Sequence, residues 1–174
     1  MASKITEALK LASIVHQKQT YGEYPYLWHC IDTWETLRDY YESEDWYTEE
    51  EETVAILHDS MEDGGVTKEE LDRTFCWYVA DLVYTLTDEP GENRRERKLK
   101  TYPKIKASGI VATAIKLADR ISNTRNCLAH ETHDLLTMYR REHGELREAL
   151  YVEEQLEEMW QELDRLLALS GPSR

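Results

Sequence analysis

An apolar segment runs directly into the stretch Leu57-His58-Asp59-Ser60-Met61-Glu62-Asp63. Residues 53–57 indicate the buried last turns of a helix, so His58 and Asp59 should emerge beside the core, where an imidazole and a carboxylate can share one cation. Glu62 and Asp63 follow Asp59 by three and four residues. On a further helical turn they return a carboxylate to the same face, where it can orient or deprotonate a water.

A bare His-Asp pair is more often a helix-end cap, with residues 62–65 as a solvated turn. Two further residues favour a metal site instead: His29, in the first turn of a predicted helix, and Asp119, the one acid of the apolar segment 110–119. A buried carboxylate at Asp119 needs a partner, which either Arg120 or a metal ion could supply. Two histidines and two aspartates suit Mn²⁺, Fe²⁺ or Zn²⁺, and the absence of thiolates argues against a closed structural zinc site.

Length and composition bound the class of protein. The 174 residues suit one domain, which we predict over residues 1–174. The net charge of −14, from 21 Lys and Arg against 35 Asp and Glu, argues against a nucleic-acid partner. Three cysteines without CxxC spacing are typical of reduced packing residues. No apolar stretch approaches the roughly 20 residues that span a bilayer, so we expect a cytoplasmic protein without a membrane partner, either monomeric or homo-oligomeric.

Helical periodicity predicts an all-α bundle. We expect a helix over residues 5–17 with Ser3 as its N-cap, a loop over residues 19–26, and a second helix from Leu27. The inner stripe of that second helix is predicted to be Ile31, Trp34, Leu37 and Tyr41.

The rest of the chain is also predicted to be helical. An acidic turn that includes Asp45 should lead into the helix that ends at His58, and a Thr67 capping box should open a short helix through Phe75. Further predicted helices are residues 77–86, residues 110–119, residues 128–151 and about 152–169, with a frayed tail over Pro172–Arg174. The last helix should turn inward Leu156, Met159, Trp160, Leu163, Leu166 and Leu167.

A basic island stands out in this acidic chain. Seven of the 21 positive residues fall within thirteen positions, namely Arg94, Arg95, Arg97, Lys98, Lys100, Lys104 and Lys106. An exposed helix face with Glu92 and Glu96 as partners is the ordinary explanation of such a run. The alternative is a clamp for substrate phosphates, which the place of the island between His58 and Asp119 favours.

Three motifs together resemble the hydrolase domain of the RelA/SpoT family, the alarmone (ppGpp) hydrolases, including its small stand-alone members. The resemblance covers about residues 5–150. The family's H-x-x-Q and P-Y-x-x-H are matched by His16, Gln19, Pro25, Tyr26 and His29. Its L-H-D-x-x-E-D is residues 57–63, and its K-L-A-D-R-x-x-N is residues 116–123. The resemblance implies a single HD-domain helical bundle.

The resemblance also implies roles for individual residues. It makes His29, His58, Asp59 and Asp119 the ligands of Mn²⁺. Glu62 and Asp63 become the water-activating pair, and Asn123 lies at the nucleoside. Arg97 and Lys98 match a motif on the phosphate side. Family members remove the 3′-pyrophosphate of guanosine tetra- or pentaphosphate, so the expected partner is a nucleotide substrate.

One departure from the family concerns the base. The family usually carries an Arg-Lys pair where this chain has Thr20 and Tyr21. Tyr21 can stack on a base but lacks the hydrogen bonds of a guanidinium. Two alternatives therefore stay open: an HD phosphohydrolase acting on NADPH 2′-phosphate, a dNTP or a nucleoside monophosphate, and a nucleotide-binding module without catalysis.

Overall fold

The computed structural model of the chain describes residues 3–42, 44 and 47–169. The predicted acidic turn at Asp45 and the predicted tail over Pro172–Arg174 lie outside the described residues. The described part forms nine α-helices and one short hairpin, so the predicted all-α class is confirmed. In chain order the elements are α1 (Lys4–Val15), β1 (Thr20–Tyr21), β2 (Tyr24–Pro25), α2 (Leu27–Tyr41), α3 (Glu49–Leu57), α4 (Lys68–Thr74), α5 (Trp77–Leu86), α6 (Arg94–Ser108), α7 (Ile110–Ala129), α8 (His133–Leu150) and α9 (Glu157–Ala168).

Side-chain caps fix where several helices begin. Ser3 accepts a hydrogen bond from the backbone of Thr6, and Thr67 forms the predicted capping box. A second capping box, which the sequence analysis did not identify, joins Thr48 to Glu51 at the start of α3. Each such cap typically stabilises a helix by about 1 kcal/mol. The box on α3 therefore helps to fix the helix that delivers His58 and Asp59.

Residues 19–26 are a hairpin and not the irregular loop that was predicted. Thr20 pairs with Pro25 and Tyr21 with Tyr24, in antiparallel register, and the turn uses Gly22 at a φ of 63°. Two-residue strands are too short to show alternation of polar and apolar residues, which is why the sequence pattern did not reveal them. The hairpin sets the chain direction into α2.

The predicted inner stripe of α2 was largely wrong. Leu37 is buried as expected, but Ile31, Trp34 and Tyr41 are only partly buried, and the fully buried positions are His29, Cys30, Thr33, Thr36 and Leu37. This face packs on α3 and α7. Two of its polar side chains have partners on α7: Arg125 donates to Thr36 at 3.2 Å, and the Ser122 hydroxyl lies 3.2 Å from His29 Nδ1. Because this buried face includes polar residues, hydrophobic residues do not recur on it at helical spacing, and the sequence pattern did not reveal it.

Helix α7 is the centre of the bundle and packs against six of the other helices: α2, α3, α5, α6, α8 and α9. It extends to Ala129, so the helix predicted over residues 128–151 begins later, at His133, after a turn with Glu131 at a φ of 53°. Likewise α9 begins at Glu157 instead of about residue 152. All six side chains predicted to face inward from this region are buried.

The environment of the cysteines and the character of the helices can also be read from the fold. The three cysteines, Cys30, Cys76 and Cys127, are unpaired thiols, and two of them lie in the core as predicted. Among the residues the structure describes, no helix has the length and apolar character needed to span a bilayer.

Candidate active site

Three helices bring all four predicted metal ligands to one point. His29 comes from the first turn of α2, His58 and Asp59 follow the end of α3, and Asp119 lies in the middle of α7. The Nε2 of His29 lies 3.6 Å from Asp59 Oδ2 and 3.4 Å from Asp119 Oδ1. The Nε2 of His58 lies 3.0 Å and 3.8 Å from the same two oxygens. Two nitrogens and two carboxylate oxygens therefore converge on one small volume.

The imidazoles are oriented as metal ligands should be. His58 donates its Nδ1 hydrogen to the carbonyl of Ala55 at 2.8 Å, so a neutral His58 presents its Nε2 lone pair to the cluster. His29 Nδ1 lies 3.2 Å from the Ser122 hydroxyl. The two Nε2 atoms are then only 3.2 Å apart and require a proton or a cation between them. Together with Asp119 they form a group whose nitrogen and oxygen donors all lie within 4.8 Å of one another, a donor set that fits a divalent transition metal.

Ion pairs keep the site ionised although it is buried. Burial opposes charging of Asp119, but Lys116, whose Nζ lies 2.6 Å from Oδ2, and His29 hold the pKa of Asp119 well below its usual range. Burial likewise opposes charging of His29, yet hydrogen bonds to Asp119 and Asp59 raise its pKa to about 9. The imidazoles of His58 and His29 lower the pKa of Asp59 in the same way. Both carboxylates are therefore available as ligands at neutral pH.

The partner of Asp119 differs from the one the sequence suggested. Arg120 was the expected alternative to a metal, but its guanidinium pairs with Glu142 at 2.9 Å. Lys116, one helical turn earlier, takes that place. Asn123 donates to Asp119 Oδ1 at 2.5 Å from the following turn. The carboxylate is thus held from both sides along α7.

A cavity of about 210 Å³ opens above the ligands. It is lined by Tyr26, Asp59, Glu62, Asp63, Arg94, Lys98, Lys116, Asp119, Arg120, Asn123 and Tyr139. Its lining includes four cationic side chains and four carboxylates, in a chain whose net charge is −14. A bound divalent cation would make the cavity positive, and a positive cavity in an acidic protein suits a phosphorylated substrate.

Glu62 and Asp63 both line the cavity, as the sequence predicted. The amide of Asp63 donates to the carbonyl of Asp59 at 3.0 Å, which is the helical turn that returns the pair toward the ligands. The amide of Asp88 donates to Glu62 Oε2 at 3.2 Å. Loss of solvent raises the pKa of Glu62, and Lys98 opposes that rise. A carboxyl group with a raised pKa is suited to taking up and releasing a proton.

The basic island is divided between two roles, so its prediction as one phosphate clamp was too broad. Arg94 and Lys98 line the cavity, whereas Arg97 does not and lies 3.7 Å from Asp88. Members inside and outside the lining pair with protein carboxylates: Arg94 with Glu142, Lys98 with Asp88, Arg95 with Glu145, Lys100 with Glu96, and Lys104 with Glu89. On a helix only residues three or four positions apart share a face, so residues that cluster in the sequence point in different directions. The clustering alone therefore does not show which of them face the cavity.

Tyr21 lies beside the cluster and outside the lining of the main cavity. Its ring packs against His29 with centroids 4.8 Å apart, and its hydroxyl lies 3.4 Å from Ser122 Oγ. It forms part of a second, more open cavity of about 240 Å³. The other residues around that cavity are Tyr24, Trp28, Asp32, Arg125, Asn126, Ala129 and His130.

Four lining residues had been given no site role from the sequence: Tyr26, Lys116, Arg120 and Tyr139. Tyr26 and Lys116 belong to the motifs, and their chemistry offered a signal, since a phenol and an amine one turn from a ligand can each hold a carboxylate. Tyr26 in fact donates to Asp59 Oδ2 at 2.5 Å. Tyr139 comes from α8, far along the chain, and no pattern pointed to it.

The buried Lys116 pair leads to a stability prediction. Lys116→Met should destabilise metal-free protein by about 3–5 kcal/mol, because it removes the cation at Oδ2 and leaves the buried Asp119 carboxylate with His29 as its remaining charged partner. Denaturant titration measures the change, and added Mn²⁺ should offset part of it. The matched control is Lys100→Met, which breaks an exposed intrahelical pair with Glu96 and should cost under about 1 kcal/mol. Equal losses in both variants would contradict the assignment of Lys116.

Comparison with known proteins adds an independent line of evidence. No protein-family model matches the chain. The chain is 31% identical over 129 residues to the Drosophila melanogaster protein named guanosine-3′,5′-bis(diphosphate) 3′-pyrophosphohydrolase MESH1, covering 72% of this chain and 70% of that protein. The Danio rerio protein of the same name is 34% identical over 73 residues, or 42% of this chain and 41% of that protein.

Two solved structures share the fold. One, described as a metazoan ortholog of SpoT that hydrolyses ppGpp, superposes with a TM-score of 0.72 at 24% identity and covers 98% of both chains. The other, lmo0812 from Listeria monocytogenes EGD-e, has a TM-score of 0.64 at 23% identity and covers 80% of this chain and 90% of that one. The extent and identity of the Drosophila match confirm the resemblance read from the motifs. This chain belongs to the MESH1 family of HD-domain hydrolases.

Proposed function

We propose that this protein hydrolyses guanosine-3′,5′-bis(diphosphate), or a closely related nucleotide, to release the 3′-pyrophosphate. The observation that carries the proposal is the meeting of His29, His58 and Asp119, with Asp59 beside the two imidazoles, next to a cavity whose lining includes four cations. The names of the relatives supply the substrate class. One shared buried core across the described helices supports a single domain as the catalytic unit. A nucleotide substrate and unpaired cysteines support a cytoplasmic location.

The proposed metal ligands are His29, His58, Asp59 and Asp119. A divalent ion held there would supply Lewis-acid chemistry, lowering the pKa of water and stabilising charge on a phosphoryl oxygen. We propose Mn²⁺, with Fe²⁺ and Zn²⁺ as alternatives, because imidazole and carboxylate ligands accept all three. Tyr26 and Lys116 keep the two carboxylates oriented through their hydrogen bonds.

The proposed catalytic pair is Glu62 and Asp63. A water oxygen bonds to the phosphorus next to the ribose 3′ oxygen, and the bond from that phosphorus to the ribose oxygen breaks. One carboxylate of the pair accepts the proton that the water loses. A proton returns to the ribose oxygen, so the products are the nucleoside 5′-diphosphate and pyrophosphate. The raised pKa of Glu62 suits it to hold the proton between the two steps.

The proposed nucleoside contacts extend along α7. Asn123 borders the main cavity, and Asn126, about one turn later, borders the second cavity that contains Tyr21. We propose that the nucleoside spans these two positions and that Tyr21 stacks on the base. A stacked ring reads no hydrogen-bonding edge, so base discrimination should be weak.

The two adjacent residues Lys98 and Arg97 provide a test of the phosphate contact. Both lie near Asp88, Lys98 at 2.8 Å and Arg97 at 3.7 Å, but only Lys98 lines the cavity. Lys98→Ala should therefore raise KM for the nucleotide by about tenfold, the usual effect of one lost charged hydrogen bond. Arg97→Ala should change KM by less than about twofold. Steady-state kinetics of both variants decide the point, and equal effects would leave Lys98 with a structural role as the partner of Asp88.

A nucleotide panel tests the proposed function itself. Purified protein with Mn²⁺ is incubated with guanosine-3′,5′-bis(diphosphate), NADPH, a dNTP or a nucleoside monophosphate, and the products are identified by chromatography. The proposal predicts the highest kcat/KM for the bis(diphosphate). A higher value for NADPH or a dNTP would reassign the substrate. Binding of all four without turnover would leave a nucleotide-binding module.

A further inference from the structure

Glu142 bridges two arginines that line the cavity, although it is not itself part of the lining. It lies on α8 and accepts from Arg94, the first residue of α6, with Nε at 2.6 Å and Nη2 at 3.3 Å. It also accepts from Arg120 of α7, with Nη1 at 2.9 Å. One carboxylate thus joins three helices at the rim of the site.

The bridge is well placed to fix the direction of both guanidinium groups. The Arg120 side chain is 3% exposed and packs over the Tyr139 ring, with its Cζ 4.4 Å from the ring centroid. Arg94 is more exposed, at 38%, and its contact with Glu142 uses two nitrogens of the planar fork. A long side chain otherwise samples many rotamers, so a two-point contact lowers the entropy lost when it binds an anion.

Both arginines keep donors for a second partner. A guanidinium carries five N–H groups, and the contacts with Glu142 account for two nitrogens of Arg94 and one of Arg120. The remaining N–H groups are therefore on two side chains that line the cavity together with Lys98 and Lys116. Planar guanidinium edges match the oxygens of a phosphate group.

We propose that Glu142 is a positioning residue that orients Arg94 and Arg120 to bind a phosphate group of the substrate. The inference deepens the proposed function and rests on it for the identity of the phosphorylated ligand. Glu142 acts through the two arginines and makes no contact with the reacting atoms. Its removal should therefore change substrate binding much more than the chemical step.

The direction in which KM changes in Glu142→Gln separates a positioning role from a purely electrostatic one. Glu142→Gln removes a negative charge next to an anion site, so an electrostatic role alone predicts tighter anion binding and a lower KM. Positioning predicts the opposite. We expect KM for guanosine-3′,5′-bis(diphosphate) to rise about tenfold, with kcat within about threefold of wild type. An unchanged or lower KM overturns the proposal.

The chain offers a matched control on the same pair of helices. Glu145, one turn further along α8, pairs with Arg95 of α6 at 2.6 Å, and neither residue lines the cavity. Glu145→Gln should leave KM and kcat within about twofold of wild type. A rise in KM equal to that of Glu142→Gln would attribute the effect to loosened helix packing and overturn the proposal.

A second variant keeps the test open if Glu142→Gln does not fold. Arg94→Lys retains the charge but cannot make the two-nitrogen contact, so KM should again rise about tenfold. An unchanged KM would show that charge alone suffices and would overturn the proposal. Where both variants fold, Glu142→Gln should raise KM less in the Arg94→Lys background than in wild type, since the two act through one contact.

Binding of inorganic pyrophosphate separates this inference from the proposed function. Calorimetry with Mn²⁺-loaded protein should show weaker pyrophosphate binding in Glu142→Gln, by about tenfold, and unchanged binding in Glu145→Gln. Absence of turnover in wild type would refute the proposed function without affecting this comparison. Equal pyrophosphate affinity in wild type and Glu142→Gln refutes the positioning role, whatever the enzyme hydrolyses.

Discussion

Asp119→Ala and His58→Ala will each abolish metal-dependent hydrolysis. Each substitution removes one of four donor atoms that lie within 4 Å of an imidazole nitrogen in the cluster. A divalent ion with three remaining protein ligands should bind more weakly, and the substrate then lacks its Lewis acid. Activity assays with added Mn²⁺, together with metal analysis of the purified variants, measure both losses. EDTA should reproduce them in wild type.

Thermal or denaturant unfolding provides an independent readout of the same prediction. A ligand at about 100 times its Kd stabilises a folded protein by about 2.7 kcal/mol, so Mn²⁺ should stabilise wild type by that order and should hardly affect Asp119→Ala. Asp81→Asn is the control, since its pair with Lys68 is exposed and remote from the cluster. Full Mn²⁺ stabilisation of Asp119→Ala would show that the ion binds elsewhere.

Glu62→Gln and Asp63→Asn should reduce kcat by roughly 10²–10⁴-fold, the range typical of a lost general acid or base. Neither side chain is among the four proposed metal ligands, so both variants should still bind Mn²⁺ and pyrophosphate. The amide group of Gln preserves the shape of Glu62 and can still accept from the amide of Asp88. A separation between binding and chemistry is therefore expected.

Calorimetry for binding and single-turnover kinetics for chemistry test that separation. Glu62→Gln should also remove the acidic limb of the pH profile of kcat, because the raised pKa of Glu62 places its ionisation above the usual range for a glutamate. Normal turnover in both variants would show that Glu62 and Asp63 have no catalytic role and belong to a solvated turn. A parallel loss of Mn²⁺ binding and turnover would indicate that Glu62 and Asp63 bind the metal instead of transferring a proton.

Much of the fold could be predicted because local signals and tertiary structure agree. The capping box at Thr67 and the helix over residues 77–86 are found where the sequence indicated. The cluster proposed to bind a metal could be predicted because a buried acid at Asp119 has few physical explanations. Motif spacing then linked it to His29 and His58, which the fold brings within a few ångströms.

The features that were missed depend on contacts between distant residues. The buried face of α2 carries His29, Thr33 and Thr36 among its members, and α7 supplies a partner to Thr36, so hydrophobic residues do not recur on that face at helical spacing. The choice of Lys116 over Arg120 as partner of Asp119 depends on Glu142, which lies 22 positions from Arg120. The division of the basic island likewise follows from which face of α6 meets the cavity. These features follow from packing geometry, which a single sequence does not specify.

Product identification is the most direct test of the central claim. Wild-type protein is incubated with guanosine-3′,5′-bis(diphosphate), with Mn²⁺ or with EDTA, and the guanosine product and released phosphate species are quantified together. The proposed mechanism predicts one pyrophosphate for each guanosine 5′-diphosphate, in the presence of Mn²⁺ and not of EDTA. Release of orthophosphate, turnover unaffected by EDTA, or no turnover with any divalent metal would contradict it.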